Sequence, residues 1–314
     1  MHTFEDAPKQ VNTPLKVLVS SGGTVTPIDE IRVIANLSHG KTGSLIAESF
    51  LRHGHTLRYL GGASSYKPFS STLTVNSQRD VDQELERLIQ EAPDAVGLLK
   101  SVSFDSCRTF AEYQQKLLAA LQDQPDVAVL AMAANDYAPV AINGKIRSDQ
   151  EELSLHLHKL PKLISQVKRS SPKTFLVGFK HEIELPGDKV IESAYKSLLA
   201  NKGDLVVANI DHRGVPRDQM RTFIVTRERS VISVNRSDLP EKLVSYIEQR
   251  RSQNHFRSLL TKVTPEQFKT REVTAFLEQL SSLSDLSLFP NYNPGDSREF
   301  GFLAKREGGD FLIT

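Results

Sequence analysis

Cysteine is nearly missing from this 314-residue sequence: Cys107 is the single one, so no internal disulfide can form and no cysteine cluster can hold a metal. One free thiol suits a reducing compartment. A net charge is missing too: 39 Lys and Arg stand against 38 Asp and Glu. A dedicated nucleic-acid binder carries a basic excess, so this balance leaves room only for a local basic pocket. No apolar run in the sequence approaches the roughly 20 residues that span a bilayer. Residues 1–15 are polar, include Pro8 and Pro14, and lack the apolar core of a signal peptide. These absences predict a cytoplasmic protein with a flexible arm over 1–15 and neither nucleic-acid nor membrane partners.

What is present is alternation. From about Lys16 to Gln249, short apolar strands take turns with amphipathic helices. Strands are expected at Lys16–Ser20, Thr56–Leu60, near Thr72–Asn76, Ala95–Leu99, Asp126–Met132, Thr174–Phe179 and Asp204–Ala208. Thr222–Thr226 and Val231–Asn235 read as a hairpin. Helices are expected from near Gly40 to His53, ended by Gly54, and along Val81, Leu85, Leu88 and Ile89. Further helices carry Phe110, Tyr113, Leu117 and Leu121, then Val190, Ile191, Ala194, Tyr195 and Leu198. The last, Asp238–Gln249, has Asp238 and Glu241 spaced for a reciprocal cap. The continuous apolar run at Asp126–Met132 suits a central strand covered on both faces. The fold class is therefore α/β: a Rossmann-like, mostly parallel sheet with helices on both faces, plus a small C-terminal extension. Ligands of such sheets sit at the carboxyl ends of the strands, which is where functional residues are sought.

The first strand leads into Ser20-Ser-Gly-Gly-Thr24. Adjacent glycines let backbone amides approach an anion, though a tight turn explains them equally well. The stretch from Val25 to Leu37 does not read as helix, and a long strand-to-helix connection in a compact domain is often functional. It holds Asp29, Arg32 and Asn36, followed by Ser38-His-Gly-Lys-Thr-Gly43 at the expected helix start, where free amides favour phosphate and Lys41 adds charge. A glycine-rich helix entry with a solvated lysine is the bland alternative. Gly40-Lys41-Thr42 ends like a P-loop, but Ala35 stands where its first glycine belongs, and no G-x-G-x-x-G follows the first strand.

The central strand leads into Ala133-Ala-Asn-Asp-Tyr-Ala-Pro139 and then Gly144-Lys-Ile-Arg147. Asp136 there can bind a ribose hydroxyl or a metal, or simply cap a turn. Lys145 and Arg147 alternate along an extended stretch and point the same way.

At this point the pattern resembles a known family. Ser-Gly-Gly-Thr24, Ile28-Asp-Glu-Ile-Arg32 and Asn36-x-Ser-x-Gly-Lys-x-Gly43 are similar to the opening of the phosphopantothenoylcysteine synthetases. Ala133–Tyr137 with Lys145-Ile-Arg147 resembles the second block of that family. Lys159-Leu-Pro-Lys-Leu-Ile164, Val177-Gly-Phe-Lys-x-Glu182 and Asp204-Leu-Val-Val-Ala-Asn209 resemble the next three. Five blocks in order over about 16–250 are far more specific than any one of them. The resemblance is closer to the free-standing, eukaryote-like branch.

The resemblance implies a synthetase-like domain over 16–250 that joins 4′-phosphopantothenate to cysteine in coenzyme A biosynthesis. It implies ATP or CTP as cosubstrate, Mg²⁺, and a homodimer in which the Lys-Ile-Arg region reaches across subunits. Asn36 matches the asparagine that holds the activated acyl intermediate, Arg32 an arginine of the same loop, and Lys145 the lysine required for nucleotide chemistry. Gly22, Gly23, Thr24, Ala133, Asp136 and Phe179 fall on the nucleotide site, where Lys196 and Lys202 can reach phosphates by analogy. Ser38, Gly40 and Lys41 fall on the substrate phosphate, and no residue is assigned to a metal. Asn135, Ile210, Lys180 and His181 depart from the pattern and leave the nucleotide preference open.

Other residues carry less. His156 and His158 alternate with leucines and read as outward-facing strand positions, and Cys107 reads as a partly buried thiol. Residues 251–314 lie outside the synthetase resemblance. They include a helical pattern over Pro265–Ser282, a turn at Asn293-Pro-Gly-Asp296, and a terminal apolar run that faintly resembles the start of a class II aldolase-type domain. That ending suggests a truncated second domain, or else a strand that completes a sheet in a partner. Two functions compete with the ligase: a diverged Rossmann-like nucleotide-binding protein without ligase activity, and an NAD(P)-binding reductase.

Overall fold

The computed structural model describes residues 13–73, 75, 80–147, 149, 151–216, 220–260, 287–291, 301–306 and 309–313. They fall into two units, Met1–Tyr246 and Ile247–Thr314. The expected arm overlaps residues 1–12, which lie outside the described residues.

The first unit is built on an eight-stranded sheet. Its strands are β1 (Lys16–Gly23), β4 (Thr56–Gly62), β5 (Val102–Cys107), β6 (Val127–Ala133), β9 (Phe175–Ile183), β10 (Leu205–Asp211), β11 (Arg221–Thr226) and β12 (Val231–Asn235). Their order is β12-β11-β10-β9-β6-β1-β4-β5, parallel except for the β10–β11–β12 meander at one edge. β1 is buried over Val17–Gly22 and β6 over Val127–Leu130, and the burial of β6 on both faces is why it reads as a continuous apolar run rather than an alternating one.

Helix placement follows from the hand of the crossovers. α1 (Lys41–Arg52) carries the chain from β1 outward to β4. α4 (Phe110–Gln122) carries it from β5 back across to β6. Right-handed connections running in opposite directions put these helices on opposite faces. Leu117 and Leu121 of α4 and Val167 of α5 (Ile164–Ser170) pack with Leu18, Ala128 and Leu176 of the sheet. Val190, Ala194 and Leu198 of α6 (Gly187–Ala200) cover Val206, Ala208 and Ile210. The register sets Leu130 beside Gly178 and Gly178 beside Val206, so α6 shares the face of α4 and α5. On the other face, α7 (Leu239–Leu260) starts beside α1, because Glu241 accepts hydrogen bonds from Ser49 (2.9 Å) and His53 (2.8 Å). Among the described residues no helix is long and apolar enough to cross a membrane.

Three expectations change. The strand near Thr72–Asn76 is instead the short helix α2 (Ser70–Leu73) as far as it is described. The Ser70 hydroxyl closes a local turn with both backbone groups of Lys67, and such hydroxyl turns override the strand preference of the threonines that follow. The strand at Ala95–Leu99 is the end of α3 (Val81–Leu99), which runs through Pro93 and buries Ala95; the strand begins only at Val102. The reciprocal cap of Asp238 and Glu241 does not form, because both Glu241 oxygens are taken by α1 and Asp238 accepts from Asn235 and Ser237.

The second unit contains β13 (Ser287–Asn291), β14 (Gly301–Arg306) and β15 (Gly309–Ile313) as an antiparallel sheet in that order. The terminal apolar run is β15, and it pairs with β14 of the same chain. The helix expected over Pro265–Ser282 and the turn Asn293–Asp296 lie outside the described residues.

Gly43, in the first turn of α1, lies against β1: a Cβ there would run into the Ser21 side chain. Gly97 in α3 has nothing within 4 Å of that position. Gly43→Ala is therefore expected to lose about 1–3 kcal/mol by overpacking. Gly97→Ala is expected to be neutral or to gain up to about 1 kcal/mol from helix propensity. Urea unfolding of the two variants checks both.

Candidate active site

The chain leaves β1 toward β4 and β5, then returns to the other side of β1 as β6, so the strand order reverses between β1 and β6. In open α/β sheets the crevice at the carboxyl ends of such a pair is where ligands bind. Here Gly22 pairs with Met132 and Gly23 with Ala133, which brings both candidate loops to one point.

The junction is closed by hydrogen bonds. The Ala133 carbonyl accepts from the Thr24 N–H (3.2 Å) and from Asn36 Nδ2 (3.0 Å). Thr24 Oγ1 donates to Asn135 Oδ1 (2.7 Å) and accepts from the Asn135 N–H (3.0 Å). Asn135 Nδ2 donates to the Ile34 carbonyl (3.4 Å). Thr24 and Asn135 are both buried, and each satisfies the other, as buried polar groups must. Asn135, a departure from the family pattern in sequence, thus ties β1, β6 and the intervening loop together.

That loop is a ribbon. β2 (Val25–Pro27) pairs antiparallel with β3 (Val33–Ala35) and delivers Asn36 back to the strand ends. Val25 also donates its N–H to the Arg108 carbonyl (2.9 Å), which pins the ribbon to the end of β5. At the ribbon tip, the buried Asp29 carboxylate accepts from four donors. Ile31 N–H (2.8 Å) and Arg32 N–H (2.6 Å) bond Oδ1; Arg32 Nη1 (2.5 Å) and Ile146 N–H (3.0 Å) bond Oδ2. Arg32 Nη1 also donates to the Ile146 carbonyl (3.2 Å). Burial alone would raise the Asp29 carboxyl, but the Arg32, Ile146 and Ile31 N–H groups and the guanidinium outweigh it and hold it well below the usual carboxylate range. Arg32, expected to act on ligand, spends this part of its guanidinium on the clamp.

Next to the ribbon stands the start of α1. Gly40 takes a left-handed conformation (φ 75°) as its N-cap, with no side-chain cap and no acid in the first turn. Its carbonyl accepts from Ser21 Oγ (2.9 Å) and the Ser44 N–H (3.0 Å). A helix N-terminus without a side-chain cap favours an anion, and exposed Lys41 and half-buried Ser38 adjoin it.

Beyond β6, Asp136 pairs with Lys162 (2.5 Å), and its carbonyl accepts from the Leu160 N–H (2.8 Å). The short hairpin β7 (Tyr137–Pro139) and β8 (Leu157–Lys159) thus brings the block around Lys162 to the same edge. Lys145 is exposed on the segment clamped by Asp29, and Phe179 is half-buried on β9.

Two expected residues are not brought to this edge. Lys202 lies at the amino ends of the strands, two residues before Asp204, whose N–H bonds the Leu176 carbonyl at the start of β9. A right-handed crossover helix runs back along the sheet, so its far end is opposite the ligand edge. Lys196, in the later half of that helix, is exposed and paired with Glu192 (2.8 Å). Cys107 is buried, and burial pushes its thiol up to about 11, away from nucleophilic use. Among the described residues no group of three or more His, Cys, Asp or Glu is set to hold a metal. Asp29, Asn135 and Lys162 were not singled out from sequence as site residues. The signal for Lys162 was its block, and nothing local marked the other two as hubs.

The depressed Asp29 carboxyl has a pH consequence. Its stabilisation is fully present above the unfolded-state value of about 4 and is lost as pH falls through the lower folded value. Between pH 4 and pH 2 the wild type is expected to lose more stability than Asp29→Asn, measured as the shift in urea midpoint. Equal losses would show that the carboxylate carries no such linkage.

Comparison with known proteins agrees with this fold. The family profile of the DNA/pantothenate metabolism flavoprotein C-terminal domain matches residues 13–98 and 88–250. The human phosphopantothenate–cysteine ligase is 32% identical over 246 residues, 68% of this chain and 76% of that protein. The coenzyme A biosynthesis bifunctional protein CoaBC of Thermococcus kodakarensis is 32% identical over 236 residues, 74% of this chain and 51% of its own length. The chain spans about half the length of the bifunctional relatives it matches. The solved DNA/pantothenate metabolism flavoprotein from Streptococcus pneumoniae superposes with a TM-score of 0.61 at 26% identity, covering 75% of this chain and 99% of that one. With a profile match across most of its length and a Rossmann-like sheet shared with a solved member, the chain belongs to the family of the DNA/pantothenate metabolism flavoprotein C-terminal domain.

Proposed function

We propose that this chain is a nucleotide-dependent ligase that joins 4′-phosphopantothenate to cysteine, as its human relative is named for doing. The observation that carries the reading is the shared Ala133 carbonyl. It holds Asn36 at the meeting point of the two strand-end loops, beside a helix start built for an anion. Residues 16–250 carry the activity, and 251–314 form a separate extension.

The chemistry needs little from nucleophilic side chains. A carboxylate is a poor acyl donor, so its oxygen first attacks the nucleotide α-phosphate, forming a mixed anhydride and releasing pyrophosphate. The cysteine amine then attacks the acyl carbonyl, and nucleoside monophosphate leaves. Both steps build negative charge that preorganised donors stabilise. In this scheme Lys145 serves the α-phosphate and Asn36 Nδ2 donates to the acyl carbonyl oxygen. Gly22 and Gly23 offer backbone at the nucleotide phosphates, and Thr24, whose N–H and hydroxyl are given to Ala133 and Asn135, holds the end of that stretch in place. The start of α1, with Ser38, Gly40 and Lys41, takes the substrate phosphate. Asp136 accepts from a ribose hydroxyl while Lys162 balances its charge, and Phe179 flanks the base. The nucleotide is ATP or CTP.

Mg²⁺ fits this site as a partner of the nucleotide rather than of a protein cage, since the described residues contain no acidic or histidine cluster. Phosphate oxygens and water would supply most of its ligands, and it would offset triphosphate charge. A homodimer is part of the proposal. Tyr137, Val140, Ile142 and Leu157 lie exposed around the segment that the family resemblance brings across subunits.

Purified protein with Mg²⁺, 4′-phosphopantothenate and cysteine is expected to release pyrophosphate with ATP or with CTP and to yield the amide, identified by mass. Asn36→Ala is expected to lower kcat by about 10²–10³, the usual effect of removing one charge-stabilising donor. Folded protein that binds nucleotide yet releases no pyrophosphate with either would overturn the ligase reading.

A further inference from the structure

We propose that Asp29 is a positioning residue for Lys145: its carboxylate, with Arg32, sets the backbone on both sides of that lysine and so fixes where its flexible side chain starts and the direction in which it leaves the chain. The inference rests on the reading of Lys145 as the group that serves the α-phosphate.

The geometry concerns the two peptide planes that flank Lys145. The plane before it carries the Gly144 carbonyl, which accepts from the Glu30 N–H (3.2 Å). The plane after it carries the Ile146 N–H, which donates to Asp29 Oδ2 (3.0 Å). Fixing both planes fixes the φ and ψ of Lys145, because a peptide chain has no other soft backbone torsions. The Ile146 carbonyl is held as well, by Arg32 Nη1 (3.2 Å), and the Ile142 N–H donates to the Ile28 carbonyl (2.9 Å). Every one of these partners lies on residues 28–32, the tip of the β2–β3 ribbon. The exit of that ribbon is Asn36. The exposed lysine and the asparagine that meets the acyl group are therefore carried by one clamped frame.

A carboxylate suits this post better than a neutral group. Four N–H donors converge on Asp29, and two carboxylate oxygens accept all four. An amide offers one acceptor oxygen, and its NH₂ would face two of the donors. Replacing Asp29 by Asn keeps the shape, removes the ion pair with Arg32, and releases either the ribbon tip or Ile146. Lys145 itself remains. What changes is its aim, and a misplacement of about 1 Å can cost about 100-fold in rate.

The test is a double-mutant cycle on the full chain, with pyrophosphate release and amide hydrogen exchange as readouts. Asp29→Asn is expected to lower kcat about 100-fold. The KM for nucleotide should move far less, and the Ile146 amide should lose exchange protection while the sheet core keeps it. Adding Asp29→Asn to Lys145→Ala is expected to produce no further loss, because the aim of an absent ammonium does not matter. Ile146→Pro removes the clamped N–H and leaves the ribbon bonds of Asp29 in place, while its ring also restricts the backbone of Lys145; it serves if Asp29→Asn fails to fold, and it should reproduce the loss in kcat. A full additional loss in the Lys145→Ala background, or unchanged kcat with an unprotected Ile146 amide, would overturn the proposal. If the wild type releases no pyrophosphate, the ligase reading falls, and Ile146 protection in Asp29→Asn still decides whether the clamp exists.

Discussion

One backbone carbonyl organises the ligand edge of this protein. The oxygen of Ala133, at the end of the central strand, accepts from the Thr24 N–H and from the Asn36 side chain. Those bonds join the end of β1, the end of β6 and the exit of the ribbon that follows β1. Behind them the buried Thr24–Asn135 pair keeps the strand ends from separating. The arrangement is possible because the strand order reverses there, leaving a crevice where neither neighbouring crossover covers the strand ends. Burial of β1 and β6 on both faces makes the platform rigid, and the small residues Gly22, Gly23, Ala133 and Ala134 let backbone stand where side chains would otherwise fill the crevice.

Around this junction charge is arranged in two ways. The buried Asp29 carboxylate, bonded to four donors, and the half-exposed Arg32 have a geometric effect, since together they fasten the segment bearing Lys145 to the ribbon. Asp136 and Lys162 form an exposed pair with room to exchange partners when a polar ligand arrives. An exposed pair contributes little to stability, and in the proposed reading it is the ribose of the nucleotide that exchanges with one of its partners. The open start of α1 supplies the complementary feature, amides aimed at an anion with no acidic side chain competing for them.

Much of this was legible before any coordinates. The continuous apolar run at Asp126–Met132 marked a central strand, and the adjacent glycines after Ser21 left a tight turn and a close backbone approach equally open. The five blocks named the family that the profile match supports. Other features were hidden for physical reasons. Asp29 and Ile146 are 117 residues apart, so no local pattern reveals that one carboxylate serves both. Asn135 looked out of place because its partner, Thr24, is 111 residues away. The Val25–Leu37 stretch lacks helical periodicity because it is a three-residue-strand ribbon, too short to show a period of two. Lys202 looked suitable by analogy, yet a crossover helix returns the chain to the opposite edge of the sheet. At Thr72 and Leu73 a serine turn prevailed over β-propensity, a contest that sequence alone does not decide.

The most direct test of the crevice as the nucleotide site is a crystal structure of the full chain with bound nucleotide. Nucleotide phosphates within hydrogen-bonding distance of the Gly22 and Gly23 backbone, with the ribose at Asp136, are the predicted result. Nucleotide bound at the opposite edge, beside Lys202, with the β1–β6 junction unengaged, would contradict the central claim.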